Sequence, residues 1–148
     1  MTVRPQDAVP DTLLQLAGGT LALTGVLGVL VPAQFFLWWV LPSEATVALS
    51  GMAAAGLGCI TLGWFVADGR VWATLAGAVA APVMGIYCAA WALWCLANLS
   101  FTLFMFLTPP FALAATLLLP FAIGSARKCA AARELVESQA EGGLRFGS

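Results

Sequence analysis

The chain has 148 residues, 61% of them hydrophobic and 9% charged, with a mean hydropathy of +0.96. A soluble domain carries roughly 25% charged residues, so the expected solvent is lipid, and the length allows one compact bundle of spanning helices with no separate soluble domain. The formal net charge of −1 hides an arrangement that carries more information than the total, and no nucleic-acid partner is expected.

Residues 1–12 hold Pro5, Pro10, Asp7, Asp11 and Arg4 and read as a disordered or surface-lying cytoplasmic lead. Asp11 or Thr12 is placed to cap the first helix with its side-chain oxygen. Residues 13–31 form the first apolar span, ended by Pro32; at about 1.5 Å per residue it reaches roughly 28 Å, close to the hydrocarbon thickness. An acidic leader and an apolar run beyond the usual 7–15 residues favour an uncleaved span over a signal peptide. The segment from Gln34 to Pro42 carries Phe35, Phe36, Trp38 and Trp39 between two prolines and is expected at the outer interface, where a tryptophan ring sits among acyl chains and its N–H among headgroups.

Residues 45–67 and 71–97 are the second and third spans, joined by the polar turn Asp68-Gly69-Arg70. Small residues recur along both arms: Gly51, Ala55, Cys59 and Gly63 in the first, Ala73, Gly77, Ala81, Gly85 and Ala89 in the second. On helices each set makes a smooth ridge. If the arms are antiparallel, the ridges are expected to face each other in small-xxx-small packing. Trp64, Phe65 and Trp72 flank this turn, while Trp91 and Trp94 mark the other interface.

The fourth span, residues 100–124, contains Thr108-Pro109-Pro110 near its middle, where the missing amide donors predict a kink. Residues 125–148 read as a short cytoplasmic helical tail, with an Arg133–Glu137 pair at i,i+4 and Gly142-Gly143 as its stop. With four spans, Arg4, Arg70, Arg127, Lys128, Arg133 and Arg145 all fall on one side, and the enrichment of Lys and Arg in cytoplasmic loops then places both termini inside. The expected fold is an all-α integral-membrane four-helix bundle.

The chemistry is bounded by what is missing. Histidine is absent, and no Asp, Glu, Lys or Arg lies in the four spans, whereas proton-coupled transporters and intramembrane hydrolases place ionisable groups there. A non-enzymatic role without cofactor is expected. Cys59, Cys88, Cys95 and Cys129 show no Cys-x-x-Cys spacing, so neither a zinc site nor a disulfide framework is expected. Met84, Cys88, Trp91 and Cys95 share one helical stripe, open to a soft-metal reading but more simply a packing face. Tyr87, Trp91, Trp94, Phe104, Thr108, Pro109 and Pro110 are candidates for an apolar pocket for a quinone, lipid tail or other hydrophobic small molecule.

The layout of four spans, with a glycine-dotted first helix closed by Val31-Pro-Ala-Gln-Phe-Phe36, is similar to that of small bacterial DoxX-like membrane proteins. The absence of ionisable groups from the spans, the abundance of small helix-packing residues and the helical tail lead to a bacterial inner-membrane accessory, scaffold or assembly subunit, packing against the lipid bilayer and another membrane protein or copies of itself. The alternative is a carrier, channel or binding protein for a hydrophobic molecule.

Overall fold

A computed structural model describes residues 5–38, 43–97 and 103–145. After a single 3₁₀ turn at Pro5–Ala8 come four helices: α1 (Thr12–Trp38), α2 (Ser43–Ala67), α3 (Val71–Ala97) and α4 (Leu103–Arg145). Each is long and apolar enough to cross a membrane, and each turns large apolar side chains outward, among them Leu23, Leu57, Val79, Ile86, Leu117 and Phe121. Apolar surface distributed in this way around a bundle is the face a protein presents to acyl chains, not to water.

The helices form a ring in chain order. α1 packs along α2 over the longest interface, α4 against α3 and α1, while α2 and α3 touch least of the neighbouring pairs. Asp11 caps α1: its carboxylate accepts from the Leu14 amide at 3.0 Å and its carbonyl from Gln15 at 3.2 Å, satisfying donors a helix start leaves open. α2 ends in a Schellman motif, with the Arg70 amide donating to the Phe65 carbonyl at 3.0 Å and Gly69 to Val66 at 2.9 Å. Gly69 takes φ +80°, the left-handed conformation this motif requires and glycine adopts without a Cβ penalty. Thr24 and Thr74 are fully buried, but their hydroxyls donate to the carbonyls of Thr20 and Arg70, at 2.8 and 3.0 Å, so neither hydroxyl is stranded in hydrocarbon.

Two helix ends differ from expectation. α1 does not stop at Pro32; it carries this proline inside and continues to Trp38, so Phe35 and Phe36 belong to a helix and not to a separate interfacial piece. A proline removes one i→i−4 bond, and burial of Pro32 in the bundle holds the helix through the gap. Residues 39–42, including Trp39, lie outside the described residues.

The separate short C-terminal helix is also corrected: α4 runs unbroken for 43 residues, through Pro109, Pro110 and Pro120 and past Gly142-Gly143. At 1.5 Å per residue it is about 65 Å long, twice the hydrocarbon thickness. The alanine-rich stretch 126–133 keeps an apolar face on the bundle, with Ala126, Cys129 and Ala132 buried, so nothing interrupts the helix where the composition turns polar.

One end of the bundle gathers the polar elements. A Cβ on Gly69 would lie 3.0 Å from Cys129 Sγ and 3.7 Å from Leu14 Cδ1, which sets the α2–α3 turn, the middle of α4 and the start of α1 at one level. The N-terminal lead joins them: its 3₁₀ turn lies against α4, where Ala8 O accepts from Cys129 Sγ at 3.3 Å and from Arg133 Nε at 3.4 Å. Arg133 Nη2 also donates to Asp68 O at 2.8 Å and Asp68 Oδ1 at 3.4 Å. Arg133 thus ties the lead, the turn and α4 together, in place of the expected pair with Glu137.

Candidate membrane groove between α2 and α3

Among the described residues, glycines bring the backbones of α1 and α2 into close approach. A Cβ on Gly18 would lie 2.5 Å from Gly63 O, and one on Gly63 would lie 2.6 Å from Gly18 O. One antiparallel step along, Gly25 faces Gly56 and Gly56 faces Gly25 O at 2.7 Å. Two glycines seven apart on one helix therefore meet two seven apart on the other, each pair aligned on one face because seven residues nearly complete two turns.

The expected contact between the small ridges of α2 and α3 is not what the fold builds. Gly63 turns to α1. Gly77 turns to Leu21 of α1 and Leu119 of α4, and Gly85 to Ala112 of α4; Ala73 and Ala81 are fully buried in the core, while Ala89 lines a groove between α3 and α4. The ridges have other partners because α1 brings its own glycine pair to α2, and backbone contact of that kind outcompetes a looser meeting with α3.

What this leaves between α2 and α3 is an open seam of 340 Å³, lined by Gly51, Met52, Ala55, Gly58, Cys59 and Leu62 from α2 and Ala80, Val83, Met84 and Tyr87 from α3. At one end Tyr87 crosses it, its hydroxyl donating to Ala48 O at 2.9 Å. A Cβ on Gly51 or Gly58 would meet nothing within 4 Å. These two glycines are again seven apart, and about 140° around the helix from the Gly56 and Gly63 face at 100° per residue. α2 thus carries two glycine ridges on nearly opposite sides, one filled by α1 and one unfilled. Their spacing is readable in the sequence, although the reading by fours merged Gly51 and Gly63 into a single ridge.

The residues expected to share one aromatic pocket are distributed. Tyr87 belongs to the α2–α3 seam. Trp91 stacks near Phe35 of α1, at 6.4 Å between ring centroids, and edge-on to Trp94 at 5.2 Å. Pro109 and Pro110 line the 410 Å³ α3–α4 groove with Pro82, Gly85 and Ala89. Thr108 is fully buried, and the Phe104 side chain lies outside the described residues. Met84, Cys88 and Cys95 are buried in the core cluster, and all four cysteines are free thiols. Among the described residues no three His, Cys, Asp or Glu side chains converge as metal ligands. The seam lining offers one phenol, one thiol and two thioethers, with no carboxylate or cation.

The electrostatics concentrate at the polar end. Asp68 pairs with Arg70 Nε at 2.9 Å and Arg133 Nη2 at 3.4 Å. The hydrogen bond from Arg70, aided by the Arg133 charge, holds its carboxyl below the usual carboxylate range.

These features define an integral membrane protein with four helices able to span the bilayer. No family model matches the chain, and no curated protein or solved structure is similar to it.

Proposed function

We propose that this protein is a non-enzymatic accessory or scaffold subunit that receives a transmembrane helix, from a partner or from a second copy, in the α2–α3 seam. The observation that carries this reading is the unfilled Gly51/Gly58 ridge. The same seven-residue glycine spacing on the opposite side of α2 is what admits α1 to backbone contact, so a second helix can close on the seam by the same packing. Arg70, Arg127, Lys128 and Arg133 at the polar end support a cytoplasmic placement of that end.

A second reading, a binding protein for a hydrophobic small molecule or lipid tail, is favoured by the Tyr87 crossing that closes one end of the seam and by the adaptable Met52 and Met84 in its walls. Native mass spectrometry of protein extracted in mild detergent separates the two. A stable assembly with a second polypeptide that G51L/G58L breaks, with helical content unchanged, supports docking. A monomer carrying a hydrophobic molecule that the same variant expels supports the second reading and overturns the first.

A further inference from the structure

At the polar end, outside the seam, lies a groove of 540 Å³ between the start of α3 and the projecting part of α4, lined by Gly69, Arg70, Val71, Trp72, Leu75, Ala130, Arg133, Glu134 and Glu137. Its depth in the membrane is fixed by its neighbours. The apolar spans of α2 and α3 end at Ala67 and begin at Val71, and the exposed rings of Trp64, Phe65 and Trp72 surround the turn, with Phe65 and Trp72 5.2 Å apart. Aromatic rings of this kind mark the level of lipid headgroups. The groove therefore opens where a phospholipid places its phosphate.

Its α3 wall carries one cation, Arg70, and its α4 wall carries Arg133 with Glu134 and Glu137. On the α3 side, Arg70 gives its Nε to Asp68, and its two Nη groups make no hydrogen bond among the described residues. The Arg70 carbonyl accepts the first backbone bond of α3 from Thr74, at 3.1 Å, so the amides of Val71 and Trp72 have no acceptor in their own helix. On the α4 side, Glu134 and Glu137 are exposed, and neither makes a hydrogen bond or ion pair among the described residues. They follow Cys129, which is level with the turn, by about 8 and 12 Å along the axis. α4 leaves the membrane in its N-to-C direction, and helical side chains lean toward the N-terminus, so both carboxylates lean back toward the groove. Trp72 and Leu75 continue its floor into the apolar region.

The charge balance decides what fits. The lining holds two carboxylates, Glu134 and Glu137, and two cations, Arg70 at the start of α3 and Arg133 on α4, with Arg133 already drawn to Asp68. A purely anionic headgroup would leave Glu134 and Glu137 without a counter-charge; a zwitterion supplies one to each wall. We infer that the groove binds a glycerophospholipid with a zwitterionic, primary-ammonium headgroup, its phosphate at Arg70 and the first turn of α3 and its ammonium at Glu134 and Glu137. The acyl chains run down over Trp72 and Leu75. A primary ammonium donates hydrogen bonds to both carboxylates, which a quaternary ammonium cannot do.

The test uses the full chain in detergent, with phosphatidylethanolamine, phosphatidylcholine and phosphatidylglycerol of identical acyl chains, and bound lipid is counted by native mass spectrometry. The wild type retains phosphatidylethanolamine at least fivefold over the other two. E134Q/E137Q, on an exposed helix face, reduces it to the phosphatidylcholine level, with helical content checked by circular dichroism. R70Q weakens retention of all three. Equal or better retention of phosphatidylglycerol by the wild type, or an ethanolamine preference that survives E134Q/E137Q, overturns the assignment. Soluble phosphoethanolamine is expected not to displace the lipid; displacement at millimolar concentration would assign the site to a free zwitterion and overturn the lipid claim. Substitution of Gly51 and Gly58 leaves this preference unchanged, so the outcome is independent of what occupies the seam.

Discussion

Gly63→Ala, set against Gly58→Ala on the same helix, tests the packing of the bundle. The new methyl at position 63 would lie 2.6 Å from Gly18 O, 2.7 Å from Ala22 N and 2.8 Å from Ala22 Cβ. Ordinary contact begins at 3.4 Å, so α1 and α2 must separate by about 0.8 Å, and a gap of that size forfeits a quarter to a half of each dispersion contact along the interface. Backbone atoms cannot swing aside as a side-chain end can, so the cost belongs near the top of the usual overpacking range, about 2–3 kcal/mol. At position 58 the methyl meets nothing within 4 Å, and replacing a mid-helix glycine by alanine gains up to about 1 kcal/mol of helix propensity. That gain applies equally at position 63 and cancels, so the two variants should differ by the overpacking cost alone, about 2–3 kcal/mol, roughly 30- to 150-fold in the folding equilibrium. Unfolding in mixed micelles by SDS titration, followed by tryptophan fluorescence and circular dichroism, measures this directly. Equal midpoints for the two variants would refute the glycine-to-glycine register of α1 and α2.

Other expectations follow from the same contacts. Gly77→Leu and Gly85→Leu should disrupt folding far more than leucine at the outward-facing Val79 or Val83, through Leu21, Leu119 and Ala112 and not through α2; equal effects at all four positions in the same titration would count against this placement. Tyr87→Phe removes the 2.9 Å bond to Ala48 O and should cost about 1 kcal/mol, with faster amide exchange confined to the ends of α2 and α3 that Tyr87 joins. Arg133→Ala should release the lead and the α2–α3 turn from α4, seen as faster hydrogen exchange at residues 5–12 and 68–70 with no change in the middle of α1. Asp68 has a lowered pKa, so its stabilising ties are complete above the ordinary carboxylate range and are lost as pH falls through the depressed value. Exchange at the turn should therefore stay slow at a pH where a free aspartate is half protonated and rise only at lower pH, and Asp68→Asn should abolish that step.

Four long helices and an integral-membrane class were legible in the sequence because long apolar runs leave little choice of solvent or secondary structure. The importance of small residues was legible too, but their partners were not. A helix shows small residues on more than one face, and periodicity along α2 does not say which neighbour each face meets. The matching intervals Gly18/Gly25 and Gly56/Gly63 were the available clue, since equal spacing on two antiparallel helices permits two simultaneous backbone contacts. Proline and glycine were over-read as stops: Pro32 and Gly142-Gly143 lie inside helices, because a buried or already propagated helix tolerates one lost bond or one poor residue. The α2–α3 seam was illegible for the same reason as the ridge partners, since it exists only because α1 takes the other side of α2.

The central claim is that a polypeptide helix occupies the seam. A photo-crosslinking residue at Ala55, in the seam, compared in intact membranes with one at Leu57, which faces outward, reads the occupant of each position. The account predicts a protein adduct of defined mass at position 55, lost in G51L/G58L, and lipid adducts alone at position 57. Lipid adducts alone at both positions would contradict it.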